Sequence, residues 1–142
     1  MDLTKQFPRS VYDKLGGVVM LARATDKAKA SAAGTTGEYN YNCGMDQAVF
    51  DFLGVDSVTY RDRVANASDG EIERYARELT AKKSPAEIAA WNEEFLGRGP
   101  GPESEEYFVN LRDAAAPGRT DVRTWADVLD LDERREVPSR VA

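Results

Sequence analysis

Helix boundaries are written into this chain more clearly than any other structural signal. Ser68 is followed three residues later by Glu71, and Ser84 by Glu87. In that spacing the hydroxyl accepts the third amide of the helix, and the carboxylate reaches back to the capping amide. Pro85 fits the first turn, where its missing N–H costs nothing. Behind these starts lie apolar stripes, Ile72, Tyr75, Ala76 and Leu79 in one case and Ile88, Trp91, Phe95 and Leu96 in the other. Gly97 gives the second helix its stop. A chain marked this way can only be built from short helices.

The remaining segments follow the same grammar. Residues 11–33 carry Val11, Leu15, Val18, Val19, Ala22 and Ala33 near one helical face, although Gly16-Gly17 splits the segment and permits two shorter helices. Asp46 is placed to cap a helix running to Leu53, with Gly54 as its stop. A helix over about 56–66 starts at Asp56 or Ser57. Gly99-Pro100-Gly101-Pro102 is a turn, followed by a helix over about 104–115 with Tyr107, Phe108 and Leu111, and Thr124 caps a last helix bearing Trp125, Val128 and Leu129. From about 134 to 142 the chain is polar and reads as a frayed tail. No strand-like alternation spans a convincing length. The expectation is an all-α fold: one domain over 1–142, a compact irregular bundle of five to seven short helices with one Gly-rich polar loop.

Charge and composition narrow the function. The 142 residues carry a net charge of −6, which disfavours nucleic-acid binding. No apolar run approaches the roughly 20 residues that span a bilayer, and the N-terminus lacks a signal peptide's apolar core. One cysteine forms no internal disulfide, so the reading is cytoplasmic. The chain has no histidine. That removes Ser-His-Asp and Cys-His catalysis and His-bearing zinc sites, leaving acid–base work to Asp, Glu, Lys, Tyr or Cys43.

The segment Gly34 to Asp46 is the chain's clearest break in helical periodicity. Within it Glu38, Asn40 and Asn42 alternate with Tyr39 and Tyr41. The polar set is placed to line a cavity while the tyrosines anchor the loop; an ordinary turn is the plainer alternative. Cys43 precedes a helix start, a position that favours a thiolate nucleophile, though free cysteines are more often small buried hydrophobes. Asp26 falls on the apolar stripe of its helix, where a carboxylate needs a partner. Either it pairs structurally with Arg9, Arg23 or Lys27, or it serves as a general base. Arg9, Arg23, Arg98 and Arg119 sit beside turns or helix ends, where two converging forks would bind an anion. Asn92 lies at the apolar edge of its helix as a ligand contact or a loop cap.

Several strings together carry a resemblance: Asp2-Leu3-Thr4 with Phe7-Pro8-Arg9-Ser10, Lys14-Leu15-Gly16-Gly17, Asp26-Lys27-Ala28-Lys29-Ala30, and Gly37-Glu38-Tyr39 with Tyr41-Asn42-Cys43. Phe52-Leu53-Gly54, Trp91-Asn92-Glu93 with Phe95-Leu96-Gly97-Arg98-Gly99-Pro100, Pro117-Gly118-Arg119-Thr120-Asp121 and Thr124-Trp125 continue it. With these the chain resembles a small bacterial family of domains of unknown function. Measured against that pattern, Met20 stands for a histidine, Ala22 for a proline and Gly44-Met45 for Pro-Leu. The resemblance implies a specialised member, of a kind recruited to biosynthesis in specialised metabolism.

The expected function is a small-molecule enzyme without metal or redox cofactor. It acts on an anionic or amine-bearing substrate by elimination, cyclisation or isomerisation, in a pocket beneath the 34–46 loop. Asp26, Glu38 and Cys43 are its candidate catalytic groups. Arg9, Arg23, Lys27, Tyr39, Asn42, Asn92, Arg98 and Arg119 are candidates for holding the substrate. The expected partner is a small molecule, with neither nucleic acid nor membrane. The alternative is a non-catalytic binding or accessory subunit, homodimeric or joined to a partner enzyme through aromatic anchors among Trp91, Phe95, Tyr107 and Phe108.

Overall fold

The computed structural model describes residues 1–141. Among them are seven helices and no strand: α1 (Leu21–Ala33), α2 (Gly44–Leu53), α3 (Ser57–Val64), α4 (Asp69–Thr80), α5 (Pro85–Leu96), α6 (Glu105–Ala115) and α7 (Trp125–Asp132). The fold is all-α. The chain forms two compact units, Met1–Ala89 and Ala90–Ala142, with the boundary inside α5.

The capping chemistry works as the sequence indicates. The Ser68 hydroxyl accepts from the Glu71 amide at 3.2 Å while Glu71 accepts from the Ser68 amide at 3.1 Å. Ser84 and Glu87 make the same exchange. Asp56 caps α3 and Thr124 caps α7 through their side-chain oxygens. Gly54 ends α2 in the left-handed conformation.

Two boundaries differ from the sequence reading. Residues 11–20 are neither one helix with α1 nor a helix of their own. Leu15 and Val18 exchange both backbone hydrogen bonds, at 3.1 and 3.0 Å, across Gly16 and Gly17 at φ +61° and +82°. Paired positive φ values make a tight two-residue reversal, which glycine enters without a Cβ penalty. The apolar residues that mimicked a helical stripe close this hairpin instead: the Met20 amide donates to the Val11 carbonyl at 2.8 Å, and both residues are buried. The second difference is at α2. Its cap is Cys43, and Asp46 stands three residues further in, accepting from the amides of Asn42 and Cys43 at 2.9 and 3.2 Å.

In the first unit α1 is the central element. It packs against α3 and α2, and every residue from Leu21 to Ala28 is buried. Phe50 and Tyr60, both fully buried, continue an aromatic row from Tyr41 to Tyr75 with ring centroids 6.0, 4.9 and 5.7 Å apart. Burying one such ring contributes about 2 kcal/mol. In the second unit α6 packs on α7 around Phe108, Val122 and Val128, with Trp125 edge-on to Phe108 at 5.1 Å.

The residues after α7 are tied back within this second unit. Arg119 forks onto Asp121 and donates to the carbonyls of Val137 and Pro138. Arg140 forks onto the buried carboxylate of Asp127 at 2.9 and 3.0 Å, and its amide donates to Asp121. The Arg119 fork and the Arg140 amide hold the Asp121 carboxyl well below the usual carboxylate range.

The two glycines of the hairpin make a matched test. A Cβ at Gly16 would stand 2.8 Å from the Ala76 Cβ, whereas one at Gly17 meets nothing within 4 Å. Gly17→Ala should therefore cost about 1–2 kcal/mol of backbone strain alone. Gly16→Ala should cost at least about 1 kcal/mol more, because the hairpin must move off α4. Urea denaturation of both variants checks the difference, and equal losses would show that the contact with Ala76 is easily relieved.

Candidate functional site

A helix buried along its whole first half must find partners for any charge it carries, since an unpaired buried charge costs far more than folding can supply. α1 carries three: Arg23, Asp26 and Lys27, exposed by only 3%, 3% and 4%. Each is met by a loop residue. The Asp26 carboxylate receives a two-pronged fork from Arg9, Nε to Oδ2 and Nη2 to Oδ1, both at 3.1 Å, and the Arg9 backbone amide at 2.9 Å. Arg23 donates to the Arg9 carbonyl at 3.1 Å and lies over the Tyr39 ring at 5.6 Å. Of the two ways to read Asp26 in the sequence, its contacts match the structural ion pair, with Arg9 as partner.

Lys27 has the most unusual surroundings. Its ammonium donates to Asp46 Oδ2 at 2.7 Å and to Cys43 Sγ at 3.3 Å. The Lys27 side chain is 5% exposed and that of Asp46 wholly buried. Oδ2 thus accepts three hydrogen bonds, from Lys27 and from the Asn42 and Cys43 amides. Oδ1 is buried with no donor among the described residues. Such an imbalance within one carboxylate costs about 1–3 kcal/mol, so surroundings that tolerate it are worth a chemical explanation. Cys43 is half-buried.

Arg23 and Lys27 stand four apart on α1 and so share a face. The loop over that face sets Tyr39 against the first and Cys43 against the second. Tyr41 anchors the loop by donating to the Ser57 carbonyl at 2.7 Å; burial, reinforced by the Asp46 charge, pushes its phenol pKa up. The alternation in residues 38–42 is real, but it runs the other way from a cavity lining. The tyrosines are half-buried, and Glu38, Asn40 and Asn42 face solvent. Asn42 adopts φ +66°, turning the chain into α2.

The structure joins Arg9, Asp26, Arg23 and Tyr39 in one set of contacts and Lys27, Cys43 and Asp46 in another, both built on α1. Glu38 lies on the exposed rim of the 34–46 loop. Asn92, Arg98 and Arg119 belong to the second unit. Asn92 is buried on α5, Arg98 just past that helix pairs back with its Glu94 at 2.8 Å, and Arg119 holds Asp121 and the chain after α7. The sequence reading missed two features. It gave Asp46 only a capping role, although the same carboxylate is the counter-ion of Lys27. It also passed over Thr25 and Tyr60, whose hydroxyls meet at 2.6 Å in the core. Thr25 also contacts the Leu21 carbonyl, which only accepts, so its proton goes there and Tyr60 donates to Thr25.

A separate hollow of about 110 Å³ lies between α3 and α4, lined by Arg63, Arg74, Glu71 and Glu78 around Ile72 and Tyr75. Its opposite charges offset one another, and none of the candidate residues reaches it. Among the described residues no three Cys, Asp or Glu side chains are grouped to hold a metal ion, and no helix is long and apolar enough to cross a membrane.

A family model described as a domain of unknown function (DUF5069) matches residues 5–135. No curated protein matches the chain.

The Lys27–Asp46 pair is testable by stability. Lys27→Met should cost about 3–5 kcal/mol, because it strands a buried carboxylate. Adding Asp46→Asn to that variant should recover part of the loss, since the amide oxygen still accepts from Asn42 and Cys43. Denaturant midpoints give both numbers; a loss below about 1 kcal/mol for Lys27→Met would show that the pair is no stronger than a surface contact.

Proposed function

The chain belongs to this family of domains of unknown function, and from its own geometry we propose that it is a small-molecule enzyme working without metal or redox cofactor. The observation that carries this reading is the Lys27 ammonium 3.3 Å from Cys43 Sγ, oriented by a wholly buried Asp46, at a cysteine that is only partly buried. An adjacent cation stabilises negative charge on sulfur, and a held amine can move a proton to or from a reacting atom. Asp46 does for Lys27 what the third member of a catalytic triad does for its base: it fixes position and charge.

Arg9 supplies the anion site in this reading. Asp26 and Ala22 aim its guanidinium, yet 47% of its side chain is exposed. In this reading a guanidinium fork, a thiol and an amine suit a carboxylate-bearing or amine-bearing substrate undergoing elimination, cyclisation or isomerisation. Asp26 then positions Arg9, and Glu38 is the solvent-facing carboxylate at the rim. This reading puts the activity in biosynthesis and in a reducing cytoplasm, and the single cysteine supports the second of these.

One observation favours the second reading, a binding or accessory subunit. Phe95 and Phe108 are core residues, but Tyr107 is 65% exposed beside Trp125. A tyrosine held so is the type of anchor that interfaces use, including those of homodimers.

Two measurements test the enzyme reading. Iodoacetamide should alkylate native Cys43 about tenfold faster than it does in Lys27→Gln, because the neighbouring cation is gone. Thermal shift against a panel of small carboxylates and amines should give a stabilising compound that the purified protein converts, with turnover lost in Cys43→Ser. Equal alkylation rates together with no stabilising compound would reject it. A dimer by light scattering that Tyr107→Ser dissociates would favour the accessory role instead.

A further inference from the structure

We infer that Lys27 and Cys43 form a reversible oxidative cross-link, a sulfenamide between Nζ and Sγ closed by hydrogen peroxide, with Asp46 as the proton acceptor. The inference rests on the arrangement of the three side chains and holds whether or not Cys43 is catalytic.

Three observations converge. The amine and the thiol are 3.3 Å apart, in hydrogen-bond contact before any reaction. Cys43 is only partly buried, while Lys27 is 5% exposed and held against its sulfur. The third observation, independent of these, is Asp46. Its side chain is wholly buried, and its Oδ1 has no hydrogen-bond donor among the described residues, although Oδ2 has three. An orphan carboxylate oxygen beside a buried ammonium can accept a proton without breaking an existing contact. No histidine is present to take that role.

The chemistry balances with peroxide as the sole oxidant. Sulfur attacks one peroxide oxygen, the O–O bond breaks, and the thiol becomes a sulfenic acid with release of one water. Sulfenic acids condense with nitrogen nucleophiles when one is held close. The Lys27 ammonium passes a proton to Asp46, and the freed lone pair attacks Sγ. The S–O bond breaks, and the departing hydroxide leaves as a second water with the proton from Asp46. Nitrogen releases its remaining excess proton to solvent. The protein has lost two hydrogens and peroxide has been reduced to two waters. An external thiol attacking Sγ reverses the bond, returning Lys27 and then, after a second thiol, Cys43. The product ties α1 to the capping residue of α2 and stitches down the loop between them.

The test treats the full chain with hydrogen peroxide and follows it by intact mass and tryptic mapping. The expected result is a loss of about 2 Da, cleavage blocked after Lys27, and a cross-linked peptide pair carrying Lys27 and Cys43, all reversed by dithiothreitol. Lys27→Arg keeps a cation near Asp46 but has no primary amine, and should give no cross-link. The same wild-type chain unfolded in urea should also fail to cross-link. A gain of about 14 Da would mean an oxygen-bridged link and overturn the sulfenamide. A gain of about 32 Da at Cys43 with no cross-link, at the same rate in wild type and Lys27→Arg, would overturn the inference altogether.

Discussion

The buried contact between Lys27 and Asp46 is the constraint around which the first unit is arranged. A lysine on a buried helix and an aspartate in the first turn of the next would each be prohibitive alone. Together they oblige the intervening loop to place Asn42 and Cys43 where their amides complete the same carboxylate. The thiol position follows from that demand. Cys43 sits beside the ammonium because its backbone is fixed by Asp46, so the local chemistry is a by-product of how the charge is satisfied.

The rest of α1 repeats the solution with different partners. Arg9 reaches in from the N-terminal segment for Asp26, and Arg23 returns the contact through the Arg9 carbonyl. Thr25 gives its proton to its own helix and takes one from Tyr60. The polar side chains of α1 are answered from several parts of the chain: the N-terminal segment, the loop, α2 and α3. A helix with these contacts has one rotation and one depth that satisfy them all. Apolar packing alone, which tolerates sliding and repacking, would specify it less sharply.

Local signals in the sequence were reliable where the physics is local. The boxes at Ser68 and Ser84, the caps at Asp56 and Thr124 and the stop at Gly54 involve residues within four positions of one another. Segment 11–20 misled because Val11, Leu15 and Val18 fit a helical period while also closing a hairpin, and the Gly-Gly pair that decides between these is two residues long. At the site, the burial of Asp26 could be inferred from its place on the apolar stripe, but its choice of Arg9, seventeen residues away, could not. Lys27 and Asp46 were individually visible and their pairing was not, since no spacing rule connects residues brought together by a loop. Glu38 looked central because it follows a glycine in a polar loop; its exposure reflects Tyr39 and Tyr41 taking the inward positions.

The anchoring of Arg140 bears on how this protein should be handled. Its guanidinium closes over the buried Asp127 and its amide over Asp121, while Val137 packs against the Phe108 core and its carbonyl receives Arg119. A chain cut at residue 135 would lose all of these at once and leave Asp127 buried without its cation. For this chain, residues 137–140 are part of the second unit's fold.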